Sequence, residues 1–576
     1  MDGFASNSAA ALAIAGALVS VAAGAAICPD TVTGTPRVFW GDLHVHTAYS
    51  LDAYAFGASN TPRDAFAFAR GREVGFANGD TARIDRPLDF AAVTDHAESF
   101  GVMYLCTDPL ERDEAYCANL RSLHDARESR RLFSEYLLPL VNLVPPRAAP
   151  VCSEAGVDCA AARAGAWQRT QAAANEANTP CEFTAFIGYE WSATPDNRHW
   201  HRNIVFRSDR VPEQAFDYVR YPQVEQLWEA LALTCRPEDG CDVLAIPHNM
   251  NYAEGGGFDV ADASAESLAR RARFERVAEV HQEKGNSECA GADPADADAD
   301  CNFERIVPGF ANAAQLGEAE RAAMWQRLRG GYYRSLLSRG LDAFDAGGRT
   351  RNPLMLGAVG STDTHFGTPG WVAEDATWRS ITSLWQDDAG RLSSTEYNPG
   401  GLVGVWAEEN TRASIFDALQ RREAYATSGP RILLRFGIAE RNACNAANPA
   451  FTVPMGGVLD GDAPPAFTVI AQQDRVGLAA IEIVKGVRID GATQERVVRV
   501  ATFDGPTATA CTTWRDEDFR AGAPAYWYAR VLEQPSPRWS KRLCERTGRC
   551  AEFPQADRMI QERAWSSPIW YLPAAR

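Results

Sequence analysis

Several signatures that declare an enzyme class at a glance are missing from these 576 residues. There is no glycine-rich phosphate loop, serine nucleophile elbow or dinucleotide fingerprint at convincing spacing, which sets aside the nucleotide-cradling and Ser-His-Asp chemistries. Positive charge is also short. With 57 Lys and Arg against 75 Asp and Glu, the net charge of -18 argues against a nucleic-acid backbone as partner, because like charges repel over the surface. No cysteine pair forms the Cys-x-x-Cys of a structural zinc site, and no fixed-period repeat marks a solenoid. Histidine is scarce, nine residues in all. That scarcity makes the placement of each one informative.

What is present begins with an apolar run over 9–26 that ends in small residues, as the core and cleavage region of a secretory signal peptide do. It lacks the usual basic n-region and carries Asp2 instead, so a retained membrane anchor over 1–27 competes with a cleaved signal. The 14 cysteines favour an oxidising compartment, periplasmic or secreted. Close neighbours suggest pairs between Cys106 and Cys117, Cys152 and Cys159, Cys235 and Cys241, Cys289 and Cys301, and Cys544 and Cys550. Cys444 with Cys511 and Cys28 with Cys181 are left by elimination, the connectivity itself staying open.

Short apolar runs alternate with helical stretches from 38 to about 430, the pattern of βαβ units and a mainly parallel sheet. Strands are expected over 38–45, 89–94, 184–190, 243–247, 277–281 and 354–360. Helices are expected over 62–73 after the N-cap Thr61, and over 121–138, 161–175, 224–233, 318–346 and 411–421. The stretches 144–158 and 290–300 look like insertions, the second a solvated, cysteine-closed Ala-Asp loop without the Gly and terminal Glu of a calcium-binding EF-hand. After Gly429 the period changes to two, over 432–436, 467–472, 480–487, 496–503, 508–513 and 526–532, with 565–571 as a further strand. This predicts a metal-binding α/β domain over 36–430 and a β-sandwich-like region over 431–576.

Histidines and acids gather at the ends of the proposed strands. The first ends in Gly41-Asp42-Leu43-His44-Val45-His46-Thr47, with Asp52 following; the second in Thr94-Asp95-His96; the third in Gly188-Tyr189-Glu190. Then come Pro247-His248-Asn249, Glu279-Val280-His281 and Ser361-Thr362-Asp363-Thr364-His365. In a barrel of parallel strands such ends share one rim, where catalytic groups sit. Side-chain alternation puts His44 with His46, and Asp363 with His365, on common faces. Asp42 or Asp95 could fix imidazole tautomers from behind, while His124, on a polar helical stretch, reads as structural. A leaving group needs an acid, and His199 and His201 are candidates for that role or for substrate contact, with Arg202 as an anion clamp. The alternative is that 198–203 is a surface hairpin. Asn249, Lys284 and Trp371 follow ligand positions closely enough to line a pocket.

This ligand order resembles the polymerase and histidinol phosphatase (PHP) superfamily. The phrases Trp40-Gly41-Asp42-Leu43-His44-Val45-His46-Thr47, His201-Arg202-Asn203 and Ala426-Thr427-Ser428-Gly429-Pro430 resemble the bacterial family called domain of unknown function 3604. The resemblance implies a distorted (β/α)7 barrel holding two or three divalent ions (Zn, Mn or Fe). One ion would take His44, His46, Glu190 and Asp363. A second would share Glu190 and add His248 and His281. A third would use Asp52, where the common pattern has histidine, with His96 and His365. Clustered ions make a bridging hydroxide available near neutral pH and clamp ester oxygens. Glu190, His201 and Asp95 are then the expected catalytic residues.

Phosphate monoester or diester hydrolysis is the first functional expectation, by resemblance. Metal-dependent amide, carboxyl-ester or sulfate-ester hydrolysis is the second. A non-catalytic surface-binding protein with structural metals is the third. The expected partner is a small-molecule ester, with no nucleic acid and no membrane after signal cleavage; the oligomeric state is not legible.

Overall fold

A computed structural model of the protein describes residues 28–29, 31–32, 34–260, 263–290, 298–306, 317–345, 352–439, 443–445 and 449–573. The N-terminal run read as a signal or anchor lies outside the described residues, as does most of the acidic stretch 290–300. Among the described residues no helix is long and apolar enough to cross a membrane.

The chain up to residue 430 supplies β1 (Arg37–Asp42), β2 (Phe90–Ala92), β3 (Thr184–Phe186), β4 (Gly188–Trp191), β5 (Arg202–Phe206), β6 (Val243–Pro247), β7 (Val277–Gln282), β8 (Gly357–Gly360), β9 (Leu402–Ala407) and β10 (Ala424–Thr427). Parallel pairing is confined here to β1 with β2, β2 with β3, and β7 with β8. β4, β5 and β6 form an antiparallel meander, and β9 pairs antiparallel with β1 on one side and with β10 on the other. The mainly parallel sheet expected from the alternating pattern is thus replaced by a mixed one. No hydrogen-bonded ladder closes into a barrel among the described residues.

These strands nevertheless wrap one core. Phe39, Phe90, Phe186, Val205, Leu244, Val277, Val359 and Val403 come from eight different strands and pack into a single buried cluster, plugged by Ile415, Phe416 and Leu419 of the helix Arg412–Arg421. Burial of this kind is worth roughly 25 cal/mol per Å² of apolar surface, so the shared core can hold the strands together where ladders are interrupted. Gly41 is required by close packing: a Cβ there would lie 2.1 Å from the Phe90 ring. Two lone parallel bridges, Val45 with Thr364 and His96 with Glu190, continue the pairing past the strand ends.

Helix boundaries follow local chemistry. Thr61 and Asp64 form a reciprocal capping box at the start of Pro62–Ala69, with proline in the first turn. The expected helix over 318–346 is two, Glu318–Arg329 and Tyr333–Asp345. They part at Gly330-Gly331, where a Cβ on Gly331 would sit 2.4 Å from the Met250 carbonyl oxygen. The stretch over 121–138 also divides, between Ala115–Asp125 and a helix starting at Ser129, with Arg127 in the left-handed region at φ 58°.

Beyond residue 431 come β11 (Leu433–Ala439), β12 (Ala466–Gln472), β13 (Leu478–Ile489), β14 (Ala492–Thr507), β15 (Thr509–Arg515), β16 (Ala525–Glu533), β17 (Arg563–Ser566) and β18 (Ile569–Tyr571). They divide between two sheets. β17 pairs with β10 on one side and β16 on the other, and β16 continues to β13 and β14, so one mixed sheet runs through both halves of the chain. β11, β12 and β15 make a second layer over it. Phe467 stacks on Phe436 within that layer and meets Trp527 of β16 across the interface, at ring centroids 5.1 Å apart.

Seven disulfides join the cysteines in the pairs named above, including Cys28 with Cys181 and Cys444 with Cys511. The described end of the acidic insertion is not solvated: Asp298 and Asp300 turn inward to Arg530, at 3.0 and 3.3 Å, and Asp298 also meets Arg334 at 2.9 Å.

Glu533, at the end of β16, is buried, and its Oε2 has no hydrogen-bond partner among the described residues. Burial raises its carboxyl to about 7 from an ordinary 4.5. The folded protein therefore keeps a proton that the unfolded chain releases, and stability falls as pH climbs from about 4.5 to 7. Urea unfolding should show Glu533→Gln flattening that decline and stabilising the protein at pH 8 by on the order of 1–3 kcal/mol. An unchanged slope would place the titration elsewhere.

Candidate metal centre

Four donor atoms from distant parts of the chain converge beyond the end of β1. His44 Nε2 lies 3.1 Å from His46 Nε2, 3.1 Å from Glu190 Oε2 and 3.2 Å from Asp363 Oδ1. His46 Nε2 lies 3.3 Å from the same Glu190 oxygen and 3.2 Å from the same Asp363 oxygen. Nitrogen and oxygen donors 3.1–3.3 Å apart are spaced as neighbouring ligands of one divalent ion are, at bonds of about 2.0–2.2 Å. These residues fit a divalent ion.

Two further groups adjoin it. His44, Glu190 and His248 form one, with His248 Nε2 3.5 Å from Glu190 Oε1. His248 Nδ1 is buried without a hydrogen-bond partner among the described residues, an arrangement that costs free energy unless something is bound there. The other group is His46, Asp52, His96 and His365, with Asp52 Oδ2 2.9 Å from His96 Nε2 and 3.3 Å from His365 Nε2. The rings of His96 and His365 both stack on His46, at 4.5 and 4.4 Å.

Local chemistry aims the imidazoles. His44 Nδ1 donates to Glu279 at 3.0 Å, and His365 Nδ1 to the Asp363 carbonyl at 2.7 Å. The Ser50 hydroxyl donates to Asp95, so its oxygen is left to accept from His46 Nδ1 at 2.9 Å. Ser192 donates to Glu190 and accepts from His96 Nδ1 in the same way. Each of these four rings, when neutral, turns the lone pair of Nε2 into the centre. Asp363 reaches it from a left-handed turn, φ 55°, past the end of β8, rather than by strand alternation with His365.

Electrostatics follow from burying so many acids together. Against the burial that would raise it, the imidazoles of His96, His248 and His201 hold Glu190 well below the usual carboxylate range. Against the burial that would lower it, Asp363, Glu279 and Glu190 hold His44 well above the usual imidazole range. His365 is likewise pushed up to about 9, burial opposing and Asp52 prevailing. This is an anionic hollow that draws positive charge.

Other expected site residues lie differently. His281 does not join the cluster: the pairing of β7 with β8 slips by a residue before it, and its ring rests near Phe303 and Trp565, at 5.5 and 5.8 Å. Glu279, two residues earlier, faces His44 instead, and sequence reasoning missed it although the Glu279-Val280-His281 strand end had drawn notice. Arg202 is no anion clamp here. Its buried guanidinium pairs with Glu275 at 3.0 Å and donates to the Trp200 and Gly257 carbonyls. His201 has both nitrogens engaged, with Glu190 Oε1 at 2.7 Å and Thr194 at 2.8 Å, so its contacts support Glu190. Asp95 acts through Ser50, and Asp42 accepts from the backbone of His44, Thr362 and Gly370, neither touching an imidazole directly. Trp371 stacks on Phe76, away from these donors. Asn249, at φ 54°, meets Gln282 and His199, and Lys284 pairs with Asp363.

Residues 33–512 and 505–573 match the family model described as protein of unknown function (DUF3604). The chain belongs to that family. No curated protein matches it. Among solved structures, this DUF3604 chain is similar at 11% identity to a two-domain protein from Bacteroides vulgatus containing a predicted PHP-like metal-dependent phosphoesterase. The alignment covers 85% of this chain and 90% of that one, with a TM-score of 0.30, too low to carry a structural argument.

In this DUF3604 chain, Glu190→Gln should strip divalent metal from the purified protein, read by elemental analysis. Glu279→Gln should weaken metal affinity about 10–100-fold, as loss of a partner behind a ligand does. His281→Ala should leave metal content unchanged, and equal loss in that variant would return His281 to the ligand set.

Proposed function

We propose that the protein is an exported metal-dependent hydrolase acting on phosphate esters. The observation that carries this reading is the division of one buried carboxylate between two pockets: Glu190 Oε2 faces His44 and His46, while Oε1 faces His201, His248 and His96. A carboxylate so placed suits bridging neighbouring cations, and mixed imidazole and carboxylate donors suit Zn, Mn or Fe.

The ions, when bound, would supply Lewis acidity and lower the pKa of water. His44, His46, Glu190 and Asp363 would hold the first, Glu190 and His248 with His44 beside them a second, and Asp52, His96 and His365 a third. Glu279, Ser50 and Ser192 keep the ring nitrogens aimed inward, so little reorganisation is needed as charge develops. No serine or cysteine nucleophile is called for. Seven disulfides are compatible with an oxidising compartment and support export.

The test is a panel of chromogenic phosphate, sulfate and carboxyl esters, assayed before and after chelation and with Mn²⁺ or Zn²⁺ restored. Hydrolysis of a phosphate ester that chelator abolishes and metal restores is the expected outcome. Metal-loaded protein inert toward every phosphate ester would defeat the reading.

A further inference from the structure

Asp363 has two different neighbours. Its Oδ1 lies 3.2 Å from both His44 Nε2 and His46 Nε2, while its Oδ2 pairs with the ammonium of Lys284. Lys284 follows β7 directly, and its backbone is pinned on both sides: its N–H donates to Gln282 Oε1 at 2.5 Å and its carbonyl accepts from Asn251 at 3.0 Å. The side chain is 18% exposed, so a mostly buried stem delivers a cation to the edge of the centre. Half-buried Tyr252 and Tyr397 stand within its electrostatic reach, as does His199.

The charge balance of this arrangement changes with occupancy. Asp363 carries one negative charge, and an ion seated among His44, His46 and Glu190 claims it through Oδ1. Lys284 has three N–H donors and its pair with Asp363 Oδ2 uses one. The acid next to it, Glu283, is turned toward His365 Nδ1 at 3.5 Å. Asp363, Glu283 and Asp52 together hold the buried ammonium charged, and an ion at the centre would draw on that same negative charge, so an anion suits the edge where the ammonium stands.

We infer that Lys284 is the anion-reading residue of the centre, binding a non-bridging oxygen of a dianionic tetrahedral group such as a terminal phosphate. It thereby selects that class over uncharged esters. The inference rests on the phosphoesterase reading but is separable from it, because binding of inorganic phosphate needs no turnover.

The experiment is calorimetric titration of inorganic phosphate into the metal-loaded full chain, as wild type, Lys284→Met and Lys284→Arg, with elemental analysis of the same samples. Metal content should be equal in all three. Phosphate affinity should fall about 10–100-fold in Lys284→Met, the usual range for a lost charge-assisted hydrogen bond, and recover in part in Lys284→Arg. Unchanged phosphate affinity in a fully loaded Lys284→Met protein would overturn the inference, as would wild-type protein that binds metal but no phosphate. Metal loss from Lys284→Met would reassign Lys284 to holding Asp363. Phosphate binding that depends on Lys284 in a protein inert toward phosphate esters would uphold this inference and sink the hydrolase reading.

Discussion

One buried carboxylate organises the centre. Glu190, 0% exposed, has five imidazoles within 3.5 Å: His44, His46, His96, His201 and His248. An acid taken so far from water is costly unless charge and hydrogen bonds surround it. The pairs with His44 and His96 supply that only when those rings are protonated. Divalent cations would supply it outright, and the inward Nε2 lone pairs are already directed for them.

The fold meets this constraint by bringing chain ends of strands together rather than by closing a regular barrel. A common core drawn from eight strands holds β1, β6 and β8 together, β4 follows β3 in the chain, and the donors sit on or just past the ends of these strands. Left-handed turns at Asn249 and Asp363, with parallel bridges at Val45 and His96, complete the approach where regular pairing ends. Backbone held in a sparsely populated region is tolerated where surrounding packing over-determines it, as it does here. The C-terminal strands β13, β14, β16, β17 and β18 share the same sheet through the pairing of β10 with β17, and β11, β12 and β15 pack over it.

Much of the centre was legible because it is written in position. His44, His46, Asp52, His96, Glu190, His248, Asp363 and His365 stand at or after apolar runs, and the structure brings all eight into adjoining groups. His281 was misread because strand alternation presumes an unbroken register, and the slip between β7 and β8 breaks it. Arg202 was misread for a related reason: a residue beside functional neighbours in sequence points to the opposite face of its strand, where Glu275 waits. Ser50 and Ser192 carried no signal of their own, and Glu279 stood out only as part of a strand end, since a hydroxyl or acid becomes a tautomer-setting partner only through contacts across the fold. For the same reason the period-two pattern after residue 431 marked its strands well but could not reveal that they extend the first sheet. The barrel expected by resemblance is not seen closed among the described residues, where β4 to β6 turn back on themselves as a meander.

The most direct measurement is anomalous diffraction from crystals of the purified protein, collected across the Mn, Fe and Zn absorption edges. A peak enclosed by His44 Nε2, His46 Nε2, Glu190 Oε2 and Asp363 Oδ1, with at least one neighbour sharing Glu190, is the predicted result. Protein grown with metal that shows no anomalous scatterer among those four atoms would contradict the account.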